Sequence, residues 1–230
     1  MMLELNKIHC VDCMEGMSSL PTVNGRKYCI VTDPPFNVGY HYNEYNDNKN
    51  EDEYYSWLSD IFQGYPCVVI QYPEALYKLS FQLGLFPERV ISWVYNSNTP
   101  RQHRDIAYFG VTPDLNRVKQ PYKNPNDKRI KARIAAGKTG AKMYDWMNIN
   151  QVKNVSKKAV DGVIHPCQMP VEVMRRVIGV IPDEYIIVDP FIGSGSTAIA
   201  CNILGRDWIG FENDPAYVKI AEKRIKEETP

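Results

Sequence analysis

The sequence has no surplus charge of either sign: 27 lysine and arginine side chains stand against 27 aspartates and glutamates in 230 residues. That balance excludes a coat protein that grips nucleic acid by bulk charge alone. No apolar run approaches the ~20 residues that a membrane-spanning helix needs, although 44% of the residues are hydrophobic. The opening MMLELNKIHC lacks a basic region followed by an apolar stretch, so it carries no export signal and a cytoplasmic location is expected. Cys10, Cys13, Cys29, Cys67, Cys167 and Cys201 are scattered. A chain of this length builds a core without a disulfide framework, so reduced thiols are expected. Cys10 and Cys13 have metal-ligand spacing, but with only His9 close by and no second pair they read as local packing, and no metal is expected. Internal repeats and low-complexity tracts are absent as well.

What is present alternates between strand and helix at both ends of the chain. A β-branched run closes at Ile30 and Val31, and Pro34 and Pro35 end it. Residues 43–53, NEYNDNKNEDE, predict a mobile polar loop. An apolar strand over 67–70 precedes Ala75, Leu76, Leu79 and Leu83 at helical spacing. Residues 90–94 and 106–111 read as further strands. From about 96 to 162 the chain carries Pro, Asn, Gly and Lys without clear periodicity and reads as an insertion. Order returns at His165, and Pro170 suits the first turn of a helix with Val171, Met174, Val177, Ile178 and Ile181 on its apolar face. Trp57, Trp93, Trp146 and Trp208 read as packing residues rather than ligand platforms. One domain is expected, with a first part at 1–95, the insertion at 96–162 and a last part at 163–230.

The sharpest local pattern is YIIVDPFIGSGSTAIACNILGRDWIGFEND, residues 185–214. A buried-strand run ends at Asp189, the segment from Gly193 to Ala198 matches G-x-G-x-x-A, a helix follows, and a second strand ends at Glu212. Glycines let backbone approach a ligand, and an acid roughly 20 residues on accepts ribose hydroxyls. NAD, FAD and S-adenosylmethionine sites share this signature, as does a plain tight turn. Asp189 separates them: a carboxylate just before the glycines repels a pyrophosphate but pairs with an ammonium group, which S-adenosylmethionine carries. Chain order agrees. Only 18 residues follow Glu212, too few for more strands, so the rest of the sheet comes from earlier in the chain. A conventional dehydrogenase has its glycine loop near the start; this order is that of a circularly rearranged doubly wound fold.

The other unusual stretch is CIVTDPPFNVGY, residues 29–40. A strand beside the glycine unit places Asp33 at the carboxyl edge of the sheet, where ligands of such folds bind. Two prolines fix a rigid turn there, which leaves the Asp33 carboxylate and the Pro34 carbonyl as two acceptors. An exocyclic amine of a nucleobase offers two N–H donors. Accepting both orients the nitrogen for attack on a methyl sulfonium, and Phe36 is placed to stack on the base. Such a base is out of reach inside a duplex and must be flipped into the pocket or presented on a single strand.

The chain reads D-P-P-F at Asp33 to Phe36, H-P-C-Q-M-P at His165 to Pro170, D-P-F-I-G-S-G-S-T at Asp189 to Thr197 and G-F-E-N-D-P-A-Y at Gly210 to Tyr217. In this order the four resemble the motifs of the β group of DNA amino-methyltransferases, which act on adenine N6 or cytosine N4. The resemblance implies an α/β fold of the Rossmann-like, S-adenosylmethionine-dependent type: a circularly permuted mixed sheet, helices on both faces and an inserted target-recognition region. It implies that Asp33, Pro34, Pro35 and Phe36 hold the target amine and base. It implies that Asp12, Asp33, His165, Gln168, Asp189, Pro190, Phe191, Gly193, Ser194, Gly195, Ser196, Thr197, Glu212 and Asn213 surround S-adenosylmethionine, with Glu212 on the ribose and Asp12 on the adenine amine. Phe36 stands where tyrosine is usual, Ser196 where threonine is frequent, and Met169 where lysine is frequent, which removes a cation near the cofactor.

Asp33 points to adenine N6, since the cytosine N4 enzymes of the group more often carry serine there; cytosine N4 transfer is the nearest rival. A decayed DNA-binding module on the same scaffold and a nicotinamide oxidoreductase are the readings from other classes. The expected substrate is double-stranded DNA. From 117 to 142 nine basic residues face the single acid Asp127, and Arg117, Lys119, Lys123, Lys128, Arg129, Lys131, Arg133 and Lys138 are the expected phosphate contacts, a solvated loop being the plainer alternative. The resemblance leaves room for a homodimer and for a cognate restriction endonuclease.

Overall fold

The computed structural model describes residues 3–40, 44–152 and 165–229. In chain order the elements are β1 (Lys7–Cys10), α1 (Cys13–Ser18), β2 (Lys27–Thr32), α2 (Glu51–Phe62), β3 (Cys67–Gln71), α3 (Pro73–Leu83), β4 (Arg89–Val94), β5 (His103–Phe109), β6 (Lys119–Gln120), α4 (Lys128–Ala135), β7 (Ala141–Lys142), β8 (Trp146–Asn148), α5 (Val171–Gly179), β9 (Tyr185–Asp189), α6 (Ser196–Leu204), β10 (Trp208–Glu212) and α7 (Pro215–Glu228).

Eight strands form one sheet in the order β1-β10-β9-β2-β3-β5-β4-β8. The five from β1 to β3 are mutually parallel, while β5 runs antiparallel to both β3 and β4. The strands of the glycine unit, last in the chain, thus lie between the first two strands. This is the permuted order expected from the motifs.

Strand residues alternate between two cores, as the period of two requires. Cys29, Val31, Val68, Ile70 and Ile187 face one core with α5 and α6. Tyr28, Ile30, Cys67, Val69, Ile186 and Val188 face the other with α1, α2 and α3. Covering both faces explains why the central strands read as continuous apolar runs. Each fully buried aliphatic or aromatic side chain contributes roughly 1.5–3 kcal/mol, and Trp93, Tyr108, Phe109 and Phe211 are among those sealed completely.

The structure moves three boundaries. The insertion drawn at 96–162 is too wide, because residues 103–109 are β5, inside the sheet, and 146–148 are β8 at its edge. The excursion from the sheet spans 110–145; residues 153–162 lie outside the described ones. Within it Asp127 caps α4, accepting from the Arg129 and Ile130 amides. The loop expected at 43–53 stops at Asn50, whose side chain caps α2; Glu51, Asp52 and Glu53 form the first helical turn, where acids favour the helix dipole. Residue 43 is outside the described residues.

Candidate active site

The parallel strands β1, β10, β9, β2 and β3 end along one edge of the sheet, and the segments that leave these strand ends surround a cavity of about 330 Å³. Asp12, Asp33, Tyr72, Asp189 and Glu212 are the polar residues at those strand ends.

On the β2 side, Asp33 follows a strand that is buried from Tyr28 to Thr32. Pro34, Pro35 and Phe36 continue along the cavity wall. The Pro35 carbonyl accepts from the Tyr54 hydroxyl at 2.5 Å, which itself accepts from Gln71 at 3.3 Å. Helix α2 and strand β3 therefore set the turn. The chain beyond is held by Asp47, buried at 2% exposure, whose carboxylate accepts from the amides of Asn37, Val38 and Tyr40 at 2.8, 3.1 and 2.9 Å. Asn37 and Lys49 exchange two further bonds.

The Asp33 side chain is only 15% exposed, and its Oδ1 is buried without a hydrogen-bond partner. Burial pushes its pKa up, the Arg104 guanidinium opposes this and Asp189 adds to it, for a value of about 6. A buried acceptor without a partner costs on the order of 1–3 kcal/mol. A ligand N–H would satisfy it.

On the cofactor side, Asp189 accepts from Thr32 Oγ1 at 2.7 Å, from the Phe191 amide at 3.1 Å and from Thr197 Oγ1. Burial still raises its pKa to about 6. Gly193 and Gly195 adopt positive φ, 47° and 81°. A Cβ at Gly193 would meet His165 Nε2 at 2.7 Å, whereas one at Gly195 would meet Ala221 of α7 at 3.1 Å. The first glycine opens the cradle and the second lets α7 close behind it. Arg224 of α7, 2% exposed, donates to the Ser194 carbonyl at 2.5 Å and to the hydroxyls of Ser194 and Ser196 at 3.0 and 3.2 Å. Glu212 Oε1 accepts from the Asp214 amide at 2.9 Å; burial lifts the Glu212 pKa to about 7. Asp12 caps α1 through the Met14 amide at 2.8 Å.

Of the cofactor residues expected from the motifs, all but Gln168 and Gly195 line this one cavity. Ser196 lines it too, but its hydroxyl is turned to the Met169 carbonyl at 2.7 Å. The residues fit S-adenosylmethionine: the strand-end carboxylates of Asp12, Asp189 and Glu212, a cradle too tight for a Cβ at Gly193, and apolar walls from Phe191, Ile192 and Phe211.

Sequence reasoning missed several neighbours. Trp57, assigned there to packing, lines the cavity, stacked with Tyr45 at 5.5 Å and tilted against Phe191 at 5.3 Å. Arg104 reaches in from β5, its guanidinium 3.4 Å from Asp33 Oδ2 and 3.7 Å from Met169 Sδ. The site lacking a lysine at 169 thus has another cation against that residue. Trp93 and Trp208 are core residues. Trp146 is 41% exposed, with Lys123 over its ring at 4.9 Å.

A second concavity, about 820 Å³, lies in the excursion and is lined by Lys119, Lys123, Arg129, Arg133, Lys138 and Lys142 among others. Lys128 and Lys131 are exposed on α4 outside that lining. Arg117 stands apart: it pairs with Asp183 and donates to the Gly179 carbonyl at 3.3 Å, tying the excursion to the sheet domain. Among the described residues no cluster of three metal-ligating side chains occurs, and no helix is long and apolar enough to cross a membrane.

Comparison with known proteins agrees with this geometry. The chain is 28% identical to the Type II methyltransferase M.HpaI of Haemophilus parainfluenzae over 227 residues, covering 86% of this chain and 68% of that protein. It is 26% identical to the Type II methyltransferase M.BglII of Bacillus subtilis over 252 residues, covering 94% and 68%. The fold matches the M1.HpyAVI–SAM complex with a TM-score of 0.61 at 19% identity, over 95% and 98% of the two chains. It matches the cytosine-N4-specific PvuII DNA methyltransferase with a TM-score of 0.62 at 18% identity, over 96% and 90%. The N6/N4 family model, described as DNA methylase, matches residues 28–223. With residues 28–223 matched and the motif residues gathered at one edge of its sheet, this chain belongs to the N6/N4 DNA methylases, S-adenosylmethionine-dependent enzymes that methylate an exocyclic base amine.

Proposed function

We propose that the protein transfers methyl to the N6 amine of adenine in double-stranded DNA, with the base flipped out of the helix and stacked on Phe36. The observation that carries this reading is the partnerless, buried Asp33 Oδ1 beside Phe36 on the cavity wall. When bound, S-adenosylmethionine supplies a methyl on a sulfonium sulfur, which keeps the bonding electrons and leaves as a thioether. Asp33 Oδ1 accepts one amine N–H, the Pro34 carbonyl accepts the other, and together they aim the nitrogen lone pair at the methyl. The same carboxylate takes the proton that the methylated nitrogen sheds. Glu212 holds the ribose, and Asp189, with Gly193 and Ser194, holds the amino-acid end. Because Asp189 already accepts three internal bonds, it contributes field more than direct contact.

The excursion supplies DNA contacts through Lys119, Lys123, Arg129, Arg133 and Lys138 in its concavity and through Lys128 and Lys131 on α4. Arg117 is assigned to anchoring rather than to phosphate. The relatives' naming as Type II methyltransferases supports a role in protecting DNA against an endonuclease of the same specificity.

Cytosine N4 is the second reading, favoured by the structural likeness to a cytosine-N4-specific enzyme. The two separate in one measurement. Unmethylated DNA is incubated with the protein and methyl-labelled S-adenosylmethionine, then digested to nucleosides. Label in N6-methyladenine is expected. Label only in N4-methylcytosine overturns the target, and no label from a folded preparation that binds the cofactor overturns the enzyme.

A further inference from the structure

Arg104 has no task in the methyl transfer itself, yet it is among the most constrained charges in the cavity. Strand β5 runs antiparallel to β3, so its beginning lies at the edge where β2 and β3 end; Arg104 pairs in register with Trp93, and Asp105 with Gln71. The guanidinium sits 4.5 Å from the Phe36 ring centroid, 5.5 Å from Trp93, 5.8 Å from Tyr72 and 5.9 Å from Tyr95. Four rings fix its plane. Its side chain and that of Asp33 are each only 15% exposed, and Nη1 lies 3.4 Å from Oδ2.

We propose that Arg104 is a positioning residue for the acceptor Asp33: it faces Oδ2 and supplies the countercharge that keeps the carboxylate ionised, which reserves Oδ1 for the target amine. The inference deepens the proposed function and rests on Asp33 being the amine acceptor.

An isolated buried carboxylate takes up a proton rather than remain charged. A protonated Asp33 has an O–H where the amine needs an acceptor. Among the described residues, the titratable groups facing Asp33 are Arg104 from β5, Asp189 at the end of β9 and the phenol of Tyr95 after β4, with Tyr72 after β3 against Arg104 itself. Arg104 is the only cation among them. Burial and Asp189 both favour the neutral acid, and Arg104 opposes them, leaving Asp33 at about 6. The 3.4 Å separation is longer than the 2.7–2.9 Å of a tight charge-assisted bond, so the pair orients the carboxylate without consuming its second oxygen. Arginine suits the place because a planar cation stacks on rings where an ammonium would not fill the gap.

The test compares wild type, Arg104→Gln and Arg104→Lys in kcat/KM for DNA from pH 5 to 9.5, with calorimetric S-adenosylmethionine binding as the check on the fold. Wild-type activity is expected to fall below about pH 6. In Arg104→Gln the acid limb should rise by about one to two units, giving about two- to tenfold lower activity at pH 7 and recovery by pH 9. Arg104→Lys should keep the limb near wild type. A loss in Arg104→Gln that is uniform in pH, or an unmoved limb while wild type transfers methyl, overturns the inference alone. Higher activity with a lower KM for DNA also overturns it, since Arg104 would then be a plug in the place of the base. Should Arg104→Gln fail to fold, Arg104→Lys decides: a kept limb is expected, and a pH-independent loss overturns it. A wild type that transfers no methyl removes the underlying reading, and both fall.

Discussion

In the cleft at the strand ends, Asp33 faces Arg104, Asp189 faces Thr32 and Thr197, and Glu212 faces the Asp214 amide. Along 110–145, Lys128, Arg129, Lys131 and Arg133 stand on a helix with no buried residue. Arg129 is 93% exposed at its side chain. Both regions are rich in ionisable groups, but water decides what each one is worth. In the cleft the dielectric is low, so one proton or one missing partner changes the chemistry. On the excursion each charge is screened, and the charges act as a sum. Cleft substitutions should therefore act singly and on turnover. Excursion substitutions should act jointly and on DNA affinity.

The largest expected effect is at Asp33. In the proposed mechanism, replacing it with Ala removes the acceptor and proton acceptor of the amine, and kcat should fall on the order of 10³-fold, within the range for general acid–base groups. Cofactor affinity measured by calorimetry should stay within about threefold, because the Oδ1 atom faces the base side. Collapse of cofactor binding would mean that Asp33 holds S-adenosylmethionine rather than the amine. The division of the cleft into a base side and a cofactor side would then be wrong.

The same contrast shows which features could be read from the amino-acid order. Asp33, Phe36, Asp189, Gly193 and Glu212 each sit where a strand stops, and the stop is written locally in proline and glycine. Their gathering at one edge follows once the strands are parallel. Arg104 carries no such local mark. It reaches Asp33 only because β5 turns antiparallel between β3 and β4, a pairing set by burial across the sheet rather than by neighbours in sequence. Trp57 and Tyr45 enter the wall because Asp47 gathers the loop amides, again a long-range event. Helices α2 and α4 were legible and overlooked. Asn50 precedes three acids, and Asp127 opens a stretch closed by Gly137 with φ of 77°, which are cap signals at both ends. Strand β8, three residues long, is too short for any periodicity to show.

On the excursion side, neutralising Lys128, Arg129, Lys131 and Arg133 together to Gln should weaken DNA binding by about 10²-fold near physiological salt, with a salt slope shallower by about 0.9 for each lost phosphate contact. Any one of the four alone should cost a few-fold. Folding should be untouched, since none of them is buried. An unchanged slope in the quadruple variant would reduce α4 to a solvated helix, and a single variant as damaging as the quadruple would mean that the excursion, like the cleft, concentrates its work in one charge.

The smallest expected effect returns to the cleft and is a dependence on pH rather than a loss. Burial raises Glu212 to about 7, so the folded protein free of cofactor carries it half protonated at neutral pH. In the proposed binding mode the ribose hydroxyls donate to the carboxylate and not to the acid, so binding requires the ionised form. Affinity for S-adenosylmethionine should be level above about pH 8 and should fall as pH drops, by about tenfold between pH 8 and pH 6. Titration of the ligand and of the other cleft carboxylates adds its own slope, and Glu212→Gln removes only the part due to Glu212. The ratio of dissociation constants, wild type over Glu212→Gln, should therefore rise about tenfold from pH 8 to pH 6. A flat ratio would mean that Glu212 ionises far below 7 or does not touch the ribose. A steep one would show that a single buried proton in the cleft governs cofactor loading, in contrast to the excursion, where the charges act only as a sum.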